Sequence, residues 1–200
     1  MADLHNIGFG MNHLGWVDNQ AASFSEFAAR CQLPGVLECT RKKYDELSRE
    51  TGNAALDRAN EKRRLRMKAS AGFFTTAPMR NGVRRAGNVG DSTLIAFDID
   101  KGVPGTIAAL RDGSHPLSRY QGVWYTTFSN PISEFDRVRI VMPVFRPLSP
   151  IEAEGLKRHL AHAVFDPMEQ VDVASFRPTQ LMFFPVTLSD ERDAFEAGVL

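Results

Sequence analysis

The run Leu94-Ile95-Ala96-Phe97-Asp98-Ile99-Asp100 ends an apolar stretch on two aspartates separated by one residue. In a β-strand, side chains at i and i+2 point the same way, so Asp98 and Asp100 share one face while Phe97 and Ile99 take the other. Two carboxylates side by side at a strand end repel each other, and a bound Mg²⁺ or Mn²⁺ relieves that repulsion. The pair is therefore a candidate divalent-metal site, set against the plainer reading of a solvated strand end. Transfer of a nucleotidyl group through two metal ions wants a third carboxylate that bridges the ions and spreads their charge. Asp172, which opens Asp172-Val173-Ala174-Ser175-Phe176, is the best candidate, and Asp166 and Glu169 are less well placed. Arg137 and Arg139 also alternate, with Val138 and Ile140 between and after them. Guanidinium groups beside carboxylates suit a site that holds metal and phosphate together.

The surrounding pattern supplies elements to position these groups. Ser23 with Glu26 makes a capping box before Phe27, and Thr40 heads a second helical run with Tyr44 and Leu47, so two helices are expected between 23 and 68, broken near Pro34-Gly35 and again at Gly52. Residues 1–20 show no periodicity and read as an irregular or pairing-dependent lead-in. After Gly72 the pattern becomes extended. Strands are expected at 73–76, 92–100, 122–128, 137–144 and 180–186, with short helical residues at 106–111. Ser149-Pro150-Ile151-Glu152 combines an N-cap serine, proline at the first helical position and glutamate at the third, and Leu156, Leu160 and Val164 give the helix its apolar face. The order over 92–186 is βαββαβ, that of a ferredoxin-like or RRM-like sheet with helices on one face and the other open. The fold class is thus α+β, with a helical segment over 1–69 and the site-bearing domain over 70–200. In that topology the Asp98 strand lies beside the Arg137–Arg139 strand.

The chain of 200 residues is 43% hydrophobic, enough for one sizeable core, and its formal net charge is zero. The zero hides an uneven distribution. Arg58, Lys62, Arg63, Arg64, Arg66, Lys68, Arg80, Arg84 and Arg85 crowd the middle, while acidic residues load the end. The basic run reads either as a solvated helix face or as a contact surface for a nucleic-acid backbone. No apolar stretch approaches the roughly 18 residues that a membrane helix needs, and the N-terminus lacks a signal-peptide pattern, so a cytoplasmic protein with no membrane partner is expected. Cys31 and Cys39 lack the spacing and companions of a zinc knuckle and read as reduced, structural residues.

Four stretches in order, NGVRRAGNVGDSTLIAFDIDKG, YQGVWYTTFSN, RVRIVMPVFRPLSPIEAEGLKRHLA and VDVASFRPTQLMFFP, resemble the archaeo-eukaryotic primase superfamily in its phage and prophage primase-polymerase branch. The resemblance covers about residues 62 to 186. It implies a metal-dependent DNA primase or polymerase, with Asp98, Asp100 and Asp172 as catalytic and metal-binding residues for two Mg²⁺ or Mn²⁺ ions. It further implies Arg137, Arg139, Thr127 and Ser129 around the nucleotide, a single-stranded DNA template, NTP or dNTP substrates and a replicative helicase as partner. One position departs from the pattern: where the family's second motif carries a histidine for the triphosphate, this chain has Phe128. Phenylalanine neither donates a hydrogen bond nor carries charge, so the triphosphate falls to Arg137, Arg139 or a residue from elsewhere. His115, His159 and His162 are the remaining downstream histidines, and surface or core roles suit them better than substitution.

Other readings share parts of the pattern. A haloacid dehalogenase-type phosphatase also places Asp-x-Asp on a strand, but Gly102 stands where its threonine belongs and the element order differs. An Asp-x-Asp glycosyltransferase has no further support, whereas a metal-dependent nuclease uses the same carboxylates with nearby arginine. A module that keeps the primase fold with weakened catalysis and binds single-stranded DNA is the alternative from another class. In it, Phe128, Trp124 and Phe73 or Phe74 stack on bases and the basic run follows the backbone. The sequence also predicts that Asn at either paired aspartate leaves the fold intact or slightly more stable, through relief of like-charge repulsion.

Overall fold

The structure is a computed structural model that describes residues 4–11 and 16–200. Its elements run β1 (Leu4–Gly10), β2 (Asp18–Ser23), α1 (Phe24–Cys31), β3 (Gly35–Leu37), α2 (Arg41–Glu46), α3 (Ala54–Lys68), β4 (Phe73–Thr75), β5 (Ser92–Gly102), α4 (Thr106–Asp112), β6 (Val123–Thr126), β7 (Asp136–Leu148), α5 (Pro150–Val164), β8 (Met182–Phe183), β9 (Val186–Leu188) and β10 (Ala197–Val199). They form a mixed α+β fold. One four-stranded antiparallel sheet has the order β10-β6-β7-β5, a second has the order β2-β1-β4-β8, and β3 pairs in parallel with β9.

Both expected capping boxes form: Ser23 and Glu26 at α1, and Ser149 and Glu152 at α5 with Pro150 in the first turn. α1 buries Phe24, Phe27, Ala28 and Cys31, which lie on one face at helical spacing. Cys31 and Cys39 are free and buried, matching the structural reading given to them.

β5 divides its side chains between two cores. Ile95, Phe97 and Ile99 join Trp124, Val138, Ile140 and Met142 beneath α4 and α5, packed against Ile107, Leu110 and Ala161. The opposite face, Leu94 and Ala96 with Val123, Tyr125 and Val141, packs against α1 and the second sheet through Phe27, Phe74, Met182 and Phe184. That second core corrects the expectation of an open face. The apolar stripe of α1 and the all-buried β4 need a partner surface, and the alternate residues of β5, β6 and β7 provide it. Only the far end of that face, where β5 turns from Leu94 and Ala96 to Asp98 and Asp100, lies outside the apolar cluster.

The closing strand also differs from expectation. Pro185 lacks an N–H and interrupts 180–186, so β8 is confined to Met182–Phe183 beside β4, and the chain resumes as β9 beside β3. The outer edge of β5 instead meets the segment after α5, through the Ile99–Val171 bridge and the Asp172 N–H donating to the Asp98 carbonyl at 2.8 Å. Three strands of the expected sheet keep their order, with β7 between β5 and β6.

The described residues before 70 hold three helices where two were expected, and three strands besides. β1 pairs with β2 and with β4, and Gly8 and Gly10 leave the room that Val17, Thr75 and Phe73 fill. Sheet pairings therefore cross residue 70 at β1–β4 and at β3–β9. Of the lead-in, residues 1–3 and 12–15 lie outside the described residues.

Candidate active site

The register between β5 and β7 sets Asp98 opposite Arg139, and that between β6 and β7 sets Tyr125 opposite Arg139. Three side chains thus stand in a row across adjacent strands on one face. Arg139 is only 8% exposed. Its Nη2 donates to Asp98 Oδ2, and its Nη1 donates to the Phe183 carbonyl at 2.7 Å and to the Tyr125 hydroxyl at 3.4 Å. The Tyr125 hydroxyl donates to the same carbonyl at 2.8 Å, tying the first sheet to β8. One rung further, Arg137 Nη1 meets Asp100 Oδ1 at 3.5 Å, and Arg137 Nε donates to Ser133 Oγ at 3.1 Å. A register shift between Ile99 and Gly102 loosens this second rung, which is more exposed than the first.

Asp98, Asp100, Arg137 and Arg139 line a cleft of about 340 Å³, within the size range of small-molecule sites. Its other walls are Leu65 and Lys68 at the end of α3, Tyr125, Thr127 to Ser129, and Phe183 to Val186. The turn after β6 is fastened to β7: the Thr127 N–H donates to the Arg137 carbonyl at 3.0 Å, and the Arg137 N–H donates to Asn130 Oδ1 at 2.8 Å. Phe128 packs its ring 4.8 Å from that of Tyr44, with the Arg41 guanidinium 5.2 Å and the Lys68 amine 5.4 Å from its centroid. Arg41 is itself held by Glu191 through Nε and Nη2 at 2.8 and 2.7 Å.

The electrostatics follow from burial and crowding. Burial raises the pKa of Asp100, helped by the charges of Asp98 and Asp172, with Arg137 and Arg139 acting the other way. Burial works against the charge on Arg139, but Asp98 outweighs it and the guanidinium stays protonated. Burial raises the Tyr125 hydroxyl, which stays a neutral donor. Lys68 is lowered by burial and by Arg64, Arg137 and Arg41.

Asp98 Oδ1 is buried without a hydrogen-bond partner, next to a second carboxylate at i+2. An orphaned anionic oxygen of this kind fits a divalent cation. Among the described residues, however, no three His, Cys, Asp or Glu side chains gather into one metal-sized cluster. Asp172 stands next to β5 through its backbone, and its Oδ1 accepts from the Ala174 N–H at 2.9 Å, capping the turn that follows. The structure brings together Asp98, Asp100, Arg137, Arg139, Thr127 and Ser129, and holds Asp172 at the edge of this group.

Seven of the basic residues sit elsewhere. Lys62, Arg63 and Arg66 are exposed on α3, and Arg64 donates to Ser48 Oγ at 3.2 Å. Arg80 and Arg85 are exposed in the turn region before β5, and Arg84 donates to the Thr179 carbonyl at 3.3 Å. None of the seven lines the cleft. Base stacking by Trp124, Phe73 or Phe74 is corrected: the three are 2%, 0% and 0% exposed, packed into the two cores and the cluster around Val17. His159 and His162 are exposed on α5, and His115 accepts from the Leu117 N–H, so none of the three stands at the cleft.

Of the polar cleft residues, Lys68 counted from sequence only as part of the basic run, and Tyr125 was not singled out. Tyr125 was legible in principle, since it shares the pleat face of Thr127 two residues on. Lys68 follows Leu65 by one helical turn, but nothing local says that this end of the helix meets a strand 30 residues later.

Fold and cleft define an α+β domain in which a pair of aspartates confronts cations in one small-molecule-sized pocket. The chain belongs to the VapE N-terminal domain family, whose model matches residues 8–198. A comparison with curated proteins gives no match. Among solved structures, the polymerase domain from Mycobacterium tuberculosis ligase D in complex with DNA is similar, with 17% identity and a TM-score of 0.39 over 60% of this chain and 50% of that one. The chain thus spans half the length of that neighbour, and at this level the likeness carries no argument about function.

Proposed function

We propose that this domain carries out template-directed nucleotidyl transfer, as a metal-dependent DNA primase or polymerase of a phage or mobile element. The observation that carries the reading is a single cleft in which Asp98 and Asp100 meet Arg137 and the Thr127–Ser129 turn. Asp98 and Asp100, with Asp172 as the third carboxylate, would hold Mg²⁺ or Mn²⁺, which lowers the pKa of an attacking 3′-hydroxyl and neutralises the departing pyrophosphate. Arg139 fixes the orientation of Asp98 by holding one of its oxygens and leaving the other free. Arg137, half-exposed and loosely paired, is available to an incoming phosphate, and the hydroxyls of Thr127 and Ser129 add neutral donors. Lys62, Arg63, Arg64, Arg66, Arg80, Arg84 and Arg85 would meet the phosphates of a single-stranded template. A cytoplasmic site of action and a replicative helicase partner belong to the same proposal; no helix among the described residues is long and apolar enough to cross a membrane.

A second reading, a module that binds single-stranded DNA without efficient synthesis, is favoured by Phe128 in the histidine position and by the capping role of Asp172. Incorporation of labelled NTPs and dNTPs on single-stranded and primed DNA, with Mg²⁺ or Mn²⁺, separates the two. Synthesis by the wild type that disappears in Asp100→Asn supports the enzyme. DNA binding by both proteins without synthesis by either supports the module.

A further inference from the structure

We infer that Lys68, the last residue of α3, is the cation that receives the phosphate chain of a nucleoside triphosphate in the cleft. This rests on the reading of the cleft as a nucleotide site and names a residue that the motif resemblance does not supply. Three observations converge on it.

First, both terminal nitrogens of Arg139 are engaged, Nη2 by Asp98 and Nη1 by the Phe183 carbonyl and Tyr125 hydroxyl, and its Nε is buried. A triphosphate would have to break a buried ion pair to use it. Second, Lys68 lines the same cleft, half-buried, yet makes no ion pair or side-chain hydrogen bond among the described residues. Its surroundings are largely cationic, since Arg64, Arg137 and Arg41 lie near enough to act on its charge, with Asp100 acting the other way. A half-buried amine among three guanidinium groups is an unfavourable arrangement that a multiply charged phosphate chain reverses. Third, Phe128 stands 5.4 Å from the Lys68 amine and supports it through its ring face. The residue that replaces the expected histidine thus seats a lysine from a different element, so the positive charge is moved rather than lost. Lysine suits this task, being a compact charge with three rotatable donors. A cleft volume of about 340 Å³ suits one nucleotide, and a polymer strand has exposed cations outside it.

The test is binding of a fluorescent ATP analogue in EDTA, which reads the phosphate contact without metal or turnover. Lys68→Met, close to lysine in length, is expected to weaken binding at least about tenfold, as loss of a charge-assisted contact does, and Lys68→Arg to restore most of it. Arg158→Gln, an exposed charge change on α5, serves as the control and leaves binding unchanged. The analogue nucleoside without phosphates binds wild type and Lys68→Met alike, as does a single-stranded oligonucleotide. Equal triphosphate binding by wild type and Lys68→Met overturns the assignment while the nucleotide site stands. Loss confined to the oligonucleotide also overturns it, making Lys68 a strand contact. If wild type binds no triphosphate with or without Mg²⁺, the nucleotide reading fails and this inference with it. A protein that binds triphosphate through Lys68 but incorporates none keeps the inference and refutes the polymerase.

Discussion

Arg139→Met isolates the row that organises the cleft. Methionine keeps most of the apolar stem of Arg139, so the lost interaction is electrostatic rather than steric. The substitution leaves the Asp98 carboxylate without its one side-chain partner among the described residues, since Oδ1 has none already. Breaking a buried ion pair by removing one member costs about 3–5 kcal/mol. The side chain of Asp98 is 15% exposed, so water reaches it from the cleft and the lower end, about 3 kcal/mol, is expected. The Phe183 carbonyl keeps its bond from Tyr125 and adds little. For a chain of this size, about 3 kcal/mol corresponds to a fall in Tm of about 6–12 °C. Asp98→Asn alone strands Arg139 and costs a similar amount, which reverses the stabilisation that like-charge repulsion alone predicts for that variant. Asp98→Asn/Arg139→Met removes both charges together, so the double variant is no less stable than the worse single one, a coupling of at least about 3 kcal/mol. Urea unfolding at pH 7, followed by far-ultraviolet circular dichroism, gives the three values. Additive losses in the double variant would refute the claim that this pair is a buried, mutually dependent unit.

Asp100→Asn has the opposite sign. The native Asp100 carboxyl has a raised pKa, so folding binds protons more readily there than the unfolded chain does, and stability rises as pH falls through that range. Asn removes the neutral-pH penalty, so the variant melts slightly above wild type at pH 7, with the gap closing toward pH 4. Burial holds Lys157 down to about 8, against an ordinary 10.5, with its amine donating to the Ser175 carbonyl. The unfolded chain therefore binds more protons between those values, so wild-type stability carries a rising contribution from pH 8 upward that Lys157→Met lacks in paired denaturant titrations. Ser149→Ala removes the α5 capping box and costs about 1 kcal/mol, read as a lower urea midpoint with unchanged slope.

What the sequence disclosed was local. The two capping boxes and the alternation over 94–100 and 137–142 depend on neighbours within a few residues, and these elements formed at those positions. The facing of Asp98 and Arg139 followed from strand order, which two-residue periodicity and the split βαβ pattern constrain. What stayed hidden depends on distant partners. β1 is short and glycine-containing, and is a strand because β2 and β4 complete it. The covered face required knowing that the stripe of α1 lands on β5 and β6. Asp172 looked like a ligand from its position before an expected strand, yet its own turn uses one of its oxygens. Lys68 resembled any other charge in a basic helix until the fold brought the end of α3 to Phe128.

The cleft has no local origin. Its walls come from the end of α3, from β5 to β7, and from residues 183–186, which are reached only after β8 and β9 have joined strands begun before residue 76. A molecule bound there acts as a removable staple across chain segments far apart in sequence. Its free energy of binding is shared by the whole cooperative fold, so saturation should raise the unfolding temperature of every element together. Conversely, a fragment lacking Leu65 and Lys68, or residues 183–186, would lack a wall of the pocket.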